Sequence, residues 1–213
     1  MIDQPSTSSA SDFAVQPCIE PSREIVQQYI AAFDEAEEDI ESAIQSLITE
    51  YPTNSDLKGV LLKATVINQL YSTHIYGIRQ VAHHIFEIGP QLDEWLAEGN
   101  ALAVEKIADV NFGDKKVTFF SFATKYCSWH RPDHYPIYDS RVETFLWQLC
   151  QAGAIAKYRR NTPYKYEAFR ERVRDARKQF GFEDLNFKNF DKFMYGQSVG
   201  YAIDAPLPVR ATL

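Results

Sequence analysis

The chain has 213 residues, of which 45% are hydrophobic and 24% charged, and this balance is typical of a globular protein that folds on its own. No stretch reaches the roughly twenty apolar residues that span a bilayer, and the first residues lack the basic start and apolar run of a signal peptide. We therefore expect a cytoplasmic protein with no membrane partner. Three cysteines without CxxC spacing indicate neither a disulfide framework nor a structural zinc site.

The net charge of −7 is distributed unevenly along the chain. Residues 1–50 carry eleven acids and one basic residue, whereas residues 151–193 carry eleven basic residues and six acids. The overall charge argues mildly against nucleic acid as a partner, because phosphate binding is mainly electrostatic. The basic run KYRRNTPYKYEAFRERVRDARK, however, interleaves arginine with tyrosine as a surface facing a phosphate backbone does. A solvated helix face with internal ion pairs explains this run equally well.

The predicted elements are almost all helices. Residues 1–20 are rich in Ser, Asp and Pro and predict disorder. Apolar spacing then predicts helices over 25–33 and 40–48, and a central helix over 57–71 that Asn54 or Ser55 caps. Further helices are predicted near 75–86, 92–99, 101–110, 118–129, 141–153, 166–180 and 187–200, with a stop at Gly89-Pro90 and a turn at 111–114. Because clean strand alternation is rare, we expect an all-α fold: one helical domain over 21–213, or two lobes that share a cleft.

A lysine and an aspartate stand fourteen positions apart in FFSFATKYCSWHRPDHYPIYDS, at 119–140. The pattern places Lys125 on one helix and Asp139 at the start of the next, where Ser140 and Glu143 form a capping-box pattern. If the two helices pack side by side, both side chains face one cleft. A lysine whose pKa is lowered by burial can form a Schiff base with a sugar carbon, and a carboxylate can stabilise an oxocarbenium-like centre. The alternative from spacing alone is a solvated lysine and an ordinary helix cap.

The same segment resembles the helix-hairpin-helix DNA glycosylases, the superfamily of endonuclease III and 8-oxoguanine DNA glycosylase. In that superfamily a lysine helix precedes a proline-containing loop and an aspartate that opens the next helix, as PIYDSRV does here. The run VLLKATVINQLYST is similar to the early helix that presents residues to the DNA. NFKNFDKFMYGQSVG is similar to the last helix of the 8-oxoguanine branch, with an aspartate, aromatics and a glycine against the base pocket. The glycine-rich hairpin before the lysine helix is replaced by TFFSFAT.

The resemblance implies a DNA glycosylase, or a glycosylase/lyase, that excises a damaged or modified base and so acts in base-excision DNA repair or against modified DNA. It implies Lys125 as the nucleophile and Asp139 as its electrostatic and acid–base partner. The implied partner is DNA, with single-stranded nucleic acid as an alternative. The DNA-binding candidates are Gln69, Ser72, Arg131, Arg159 and Arg160, and the base-pocket candidates are Trp129, His134, Tyr138, Phe190 and Tyr195.

No motif indicates a cofactor or a metal. The chain has no P-loop and no GxGxxG, so no nucleotide cofactor is expected. His130 and His134 are separated by Pro132 and have no HExxH or cysteine partner, so no metal is expected either. Two other kinds of protein stay open: a non-catalytic nucleic-acid or protein interaction module that keeps a glycosylase-like fold, and a helical scaffold whose acidic N-terminal helices bind a basic partner.

Overall fold

The computed structural model describes residues 21–160 and 165–203. Over these residues the chain forms ten α-helices and one two-stranded antiparallel sheet, which confirms the all-α class. The elements in chain order are α1 (Arg23–Ala36), α2 (Glu38–Glu50), α3 (Leu57–Leu70), α4 (Ile78–Glu87), α5 (Gly89–Glu98), α6 (Leu102–Ala108), β1 (Asp109–Phe112), β2 (Lys115–Thr118), α7 (Phe120–His130), α8 (Ser140–Gln151), α9 (Tyr166–Gln179) and α10 (Phe187–Val199). The predicted disorder of residues 1–20 lies outside the described residues. Within the described part, no helix is long and apolar enough to cross a membrane.

The helices share one hydrophobic core cluster, to which all ten contribute buried residues. The N-terminal helix α1 packs along the C-terminal helix α10, and α10 also contacts α8. The central helix α3 packs against α2, α4 and α7, and α6 lies on α7. The prediction of a central α3 is therefore confirmed.

Side-chain caps fix where four of these helices begin, one of them α1, where Ser22 Oγ accepts from the backbone N–H of Ile25. Asp56 caps α3, Asp139 caps α8 and Asn186 caps α10, each by accepting hydrogen bonds from backbone N–H groups of the first turn. The expected cap of α3 at Asn54 or Ser55 was wrong. Asn54 is instead fully buried, and its backbone N–H donates to both carboxylate oxygens of Asp93.

A β-hairpin precedes α7 where the sequence predicted only a turn. Strands β1 and β2 pair from Asp109–Thr118 to Phe112–Lys115, and Gly113 takes a positive φ of 60° in the turn. Phe112 meets Phe119 edge-on, and a Cβ on Gly77 would lie 2.4 Å from the Phe112 ring, so glycine is needed there to seat the hairpin. The hairpin therefore ends directly before α7, the helix that carries Lys125.

Candidate active site

A cleft of about 770 Å³ opens between α1, α2, the C-terminal end of α3, α7, the N-terminal end of α8 and α10. Its wall carries ionisable groups from four of these helices: Glu41 of α2, Lys125 of α7, Arg141 of α8, and Lys188, Asp191 and Lys192 of α10. Tyrosine and phenylalanine side chains complete the wall, among them Phe33, Tyr71, Tyr138 and Tyr195. The volume is in the range of small-molecule sites, which commonly occupy several hundred cubic ångströms.

Lys125 lies at the inner end of this cleft with only 3% of its surface exposed. Its ammonium donates hydrogen bonds to Ser121 Oγ at 2.8 Å and to the carbonyl oxygen of Tyr138 at 3.3 Å. The same Nζ lies 3.9 Å from Asp139 Oδ2 and 5.6 Å from the centroid of the Tyr71 ring. Burial lowers the pKa of Lys125, while the charges of Asp139 and Asp191 oppose that shift. A larger fraction of Lys125 is therefore in the neutral amine form at a given pH than for a lysine on the surface.

Asp139 is held at the cleft by its role as the cap of α8. Its Oδ1 accepts hydrogen bonds from the backbone N–H groups of Arg141 and Val142, both at 2.9 Å. The preceding residue is also tied to α7, because the backbone N–H of Tyr138 donates to Thr124 Oγ1 at 3.0 Å. With Oδ1 engaged by the helix, Oδ2 is the oxygen that faces Lys125. The cap thereby fixes the carboxylate relative to the lysine.

Asp191 adds a second, partly buried carboxyl group to the same cleft. Its pKa is raised from 3.8 to about 8, mainly by burial and also by the charges of Asp139 and Glu41, while Lys125 and Lys188 act in the opposite direction. The Asp191 carboxyl group therefore holds a proton at neutral pH. Two carboxyl groups whose surroundings differ in this way are typical of sites that separate an acid from a charged partner.

The wall opposite Lys125 is an ion-pair network that joins α10 to α1 and α2. Lys188 Nζ lies 2.7 Å from Glu41 Oε2, and Lys192 Nζ lies 3.3 Å from the same oxygen. Lys188 Nζ also sits 3.5 Å from the centroid of the Trp129 ring, and burial lowers the pKa of Lys188. Lys188 is therefore a second lysine of altered acidity within the cleft.

The structure brings only some of the predicted site residues to the cleft. Lys125, Asp139, Ser72, Tyr138 and Tyr195 all line it. Ser72 has a positive φ of 48° just after α3, and Tyr195 meets Phe33 edge-on with ring centroids 5.5 Å apart. The predicted pair of Lys125 and Asp139 thus faces a common space.

Trp129, Gln69 and Phe190 are placed differently from that expectation. Trp129 is buried one layer behind the cleft wall, where its Nε1 donates to the hydroxyl oxygen of Tyr71 at 3.1 Å. Gln69 is exposed near the end of α3 and does not line the cleft. Phe190 is fully buried and packs against Phe193 in the core. It was expected in a base pocket, but its side chain serves packing.

Arg131 and His134 lie outside the cleft, contrary to their expected roles in binding DNA and a base. Arg131 Nη1 donates to the carbonyl oxygen of Ala97 at 3.1 Å, and its Nη2 lies 2.9 Å from His134 Nε2. His134 packs on Gly99, where a Cβ would lie 2.5 Å from the imidazole. Both side chains therefore brace the loop after α7 against the end of α5.

Arg159 and Arg160 line a second, smaller pocket of about 230 Å³. This pocket shares Phe120, Tyr138 and Ser140 with the cleft, so the two are neighbours across the Tyr138 side chain. Part of the basic run at 157–178, in which arginine and tyrosine are interleaved, therefore lies beside the cleft. Residues 161–164 of that run lie outside the described residues.

Sequence reasoning did not select Glu41, Tyr71, Lys188 or Asp191 as site residues. The aspartate of the last helix was noted in the family resemblance, but Phe190 and Tyr195 were chosen from that helix. A signal was present in the spacing of Lys188, Asp191 and Lys192, which puts three ionisable groups on one face of a helix that also carries core residues. No group of three His, Cys, Asp or Glu side chains suited to a metal ion occurs among the described residues.

Comparisons with known proteins match this chain to a family model and to a curated relative. The family model HI_0787_N, described as an N-terminal domain, matches residues 25–134. An uncharacterized protein of Haemophilus influenzae (strain ATCC 51907 / DSM 11121 / KW20 / Rd) is 33% identical over 175 residues, which cover 76% of this chain and 84% of that protein. No solved structure matches the chain. The family match includes Lys125 and ends before Asp139.

Proposed function

The chain belongs to the HI_0787_N family, and from the chemistry of its cleft we propose that it is a DNA glycosylase with lyase activity that excises a damaged or modified base. The observation that carries this proposal is the buried Lys125 ammonium, 3.9 Å from a carboxylate that a helix cap holds in place, at the inner end of an open cleft. The order of a lysine helix, a proline-containing loop and a capping aspartate supports a fold related to the helix-hairpin-helix glycosylases.

Lys125 acts as the nucleophile in the proposed reaction. Its neutral amine attacks C1′ of the target nucleotide, a bond forms between Nζ and C1′, and the glycosidic bond breaks with its electron pair leaving on the base. Loss of a proton from the nitrogen and opening of the sugar ring, with a proton taken up at O4′, give the Schiff base. Burial supports this role, because it lowers the pKa of Lys125 and increases the fraction of free amine.

Asp139 and Asp191 have different roles in the proposed reaction. Asp139 faces Lys125 through Oδ2, from where its carboxylate stabilises positive charge that develops at C1′ and O4′ and accepts the proton that the amine loses. Asp191, protonated at neutral pH, supplies a proton to the departing base. The different environments of the two carboxyl groups support this division.

The aromatic wall supports a flipped base as the occupant of the cleft. Chemistry at C1′ requires the nucleotide to leave the base stack, and extruded bases are held by stacking on aromatic side chains. Tyr71, Tyr138, Tyr195 and Phe33 present such surfaces, and the Arg141 guanidinium lies 5.0 Å from the centroid of the Tyr195 ring. Because charged groups and aromatic rings both line it, the cleft suits a nucleoside better than a purely apolar ligand.

A non-catalytic nucleic-acid or protein interaction module that keeps a glycosylase-like fold is the second candidate, and the absence of the glycine-rich turn before α7 is the observation that keeps it open. In the helix-hairpin-helix superfamily a glycine-rich turn at this place offers backbone amides to a DNA phosphate, whereas this chain has strands β1 and β2. A protein that kept the fold for binding alone would also keep a positive surface. This candidate differs from the first in a measurable way, because it releases no base.

The test is an assay of base release and strand incision on duplex and single-stranded oligonucleotides that carry 8-oxoguanine, uracil, thymine glycol or an abasic site. We expect the wild type to release one of these bases or to incise the abasic strand, and Lys125→Gln to do neither. Lys58→Gln, an exposed change on α3 away from the cleft, is the control and should retain the activity. Binding that survives Lys125→Gln, with no base release by the wild type on any substrate, would support the second candidate instead.

A further inference from the structure

The smaller pocket beside the cleft is strongly cationic. Four basic side chains line it, Arg159, Arg160, Lys165 and Arg172, together with the single carboxylate of Glu143. Thr144 and Ser140 add hydroxyl groups from the first turns of α8. Basic groups thus outnumber carboxylates among the residues that line this pocket, beside the proposed active site.

Glu143 lies between two of the guanidinium groups without accepting a direct hydrogen bond from either. Its Oε1 lies 3.9 Å from Arg160 Nε, and its Oε2 lies 3.9 Å from Arg172 Nη1, distances too long for direct hydrogen bonds. Arg160 Nη2 donates to Thr144 Oγ1 at 3.2 Å instead. Of the two side chains, Arg172 is 22% exposed and Arg160 is 42% exposed, so both reach solvent. N–H groups of both therefore remain able to meet an anion.

Aromatic stacking holds the same arginines in place. The Arg172 guanidinium lies 4.3 Å from the centroid of the Tyr158 ring, and the Arg160 guanidinium lies 5.8 Å from that of Trp147. The Tyr158 hydroxyl in turn donates to Glu143 at 3.3 Å. Planar guanidinium groups that are already positioned lose little side-chain entropy when they bind a phosphate.

We propose that this pocket binds a phosphodiester group of a DNA strand, next to the nucleotide that occupies the cleft. The inference rests on the proposed function, and it makes the substrate a polynucleotide rather than a free nucleoside. The shared wall of Phe120, Tyr138 and Ser140 is the basis for this assignment, because it separates the pocket from the cleft by a single layer of side chains. The arginine cluster then supplies phosphate contacts that the glycine-rich turn supplies in the helix-hairpin-helix superfamily.

The test is fluorescence anisotropy of a labelled duplex and a labelled single strand, each with a tetrahydrofuran abasic analogue, at about 50 to 200 mM KCl. The double variant Arg160→Gln/Lys165→Gln removes two exposed charges from the pocket. The matched control Arg174→Gln/Lys178→Gln removes one arginine and one lysine from α9, outside both the pocket and the cleft. Exposure is matched as well, since the Arg174 side chain is 44% exposed and that of Arg160 is 42% exposed.

We expect the pocket variant to bind the duplex about tenfold more weakly and to reduce the slope of log Kd against log salt by about one, which corresponds to one lost phosphate contact. The control variant should stay within about twofold of wild type with an unchanged slope. Equal behaviour of the two variants would overturn the inference, and so would tight binding of inorganic phosphate or a mononucleotide that the strand does not displace. A wild type that does not bind DNA also overturns it.

The outcomes separate this inference from the proposed function. If the wild type binds DNA through the pocket but releases no base, the phosphate site is supported and the glycosylase function is refuted. If the wild type releases a base but the two double variants bind DNA equally well, the glycosylase function is supported and the phosphate site is refuted.

Discussion

Lys125 and Asp139 face each other with Nζ and Oδ2 3.9 Å apart, yet the hydrogen bonds of each group go elsewhere. Lys125 donates to Ser121 and to the backbone of Tyr138, whereas Asp139 Oδ1 accepts from the first turn of α8. The pair is therefore joined by charge rather than by a direct hydrogen bond. Substitutions can remove the charge of one partner while leaving its structural hydrogen bonds in place.

Asp139→Asn should separate the structural role of this residue from its chemical role. The amide oxygen of asparagine can still accept the hydrogen bonds from Arg141 and Val142, so the free energy of unfolding should change by less than about 0.5 kcal/mol. Asp139→Ala removes the cap and should cost about 1 kcal/mol. Both variants should lose base release, because both lack the carboxylate. Urea unfolding and the base-release assay measure the two properties.

Asp56 offers the matched control, since it caps α3 in the same way by accepting from the N–H groups of Lys58 and Gly59, away from the cleft. Asp56→Ala should show the same loss of stability with full activity. An active Asp139→Asn protein would refute the assigned role of the carboxylate.

Asp191 should make the protein less stable as the pH rises from about 4 to about 8. The pKa of Asp191 is raised from 3.8 to about 8, so across this window the folded chain holds a proton that the unfolded chain has lost. Folding then takes up a proton, and the free energy of unfolding falls with increasing pH. Asp191→Asn removes this dependence, and at pH 8 it should be more stable than wild type by up to about 5 kcal/mol.

Urea unfolding at about pH 5, 6.5 and 8 measures this effect, and the difference between variant and wild type should shrink toward the lowest pH. Asp175→Asn, at an exposed aspartate of α9, serves as the control and should run parallel to the wild type. Parallel curves for Asp191→Asn as well would mean that the folded carboxyl group is ionised at neutral pH.

Replacement by methionine should destabilise the protein far more at Lys63 than at Lys125, the two buried lysines. Lys63 is fully buried and donates to the carbonyl oxygens of Tyr51 and Thr53 and to Asn54 Oδ1, at 2.8 to 3.0 Å. Lys63→Met removes the Lys63 donor from the carbonyl oxygens of Tyr51 and Thr53, although Asn54 Oδ1 still accepts from the Tyr126 hydroxyl, and should cost about 3 to 5 kcal/mol. Lys125→Met removes a desolvated charge that has fewer hydrogen bonds and should cost less than about 1 kcal/mol.

Thermal or urea unfolding of the two variants compares them directly. A loss of stability for Lys125→Met as large as that for Lys63→Met would show that Lys125 is held for structure and not for chemistry.

The pairing of Lys125 with Asp139 could be predicted because its signals are local. Helical spacing, Pro132 after the first helix and an N-terminal cap pattern at the second all lie within one short segment. The network of Glu41 with Lys188 could not be predicted in this way, because it depends on how α2 and α10 pack across the fold. No local pattern encodes that distance.

The β-hairpin and the places of Arg131 and His134 also escaped sequence reasoning for physical reasons. Strand β2 is exposed along its whole length, so it lacks the alternation of apolar residues by which a strand is recognised. Arg131 and His134 looked like site residues because they lie in the loop between the two catalytic candidates. Their direction is set by contacts with Ala97 and Gly99 at the end of α5, which are distant in sequence.

Borohydride trapping on a duplex with an abasic site, followed by peptide mapping of the adduct, tests the central claim most directly. Lys188 is the internal rival, because it lines the same cleft and burial lowers its pKa as well. We expect an adduct on the peptide that contains Lys125, its loss in Lys125→Gln and its retention in Lys188→Gln. An adduct on Lys188, or none with the wild type, would contradict the assignment of Lys125 as the nucleophile.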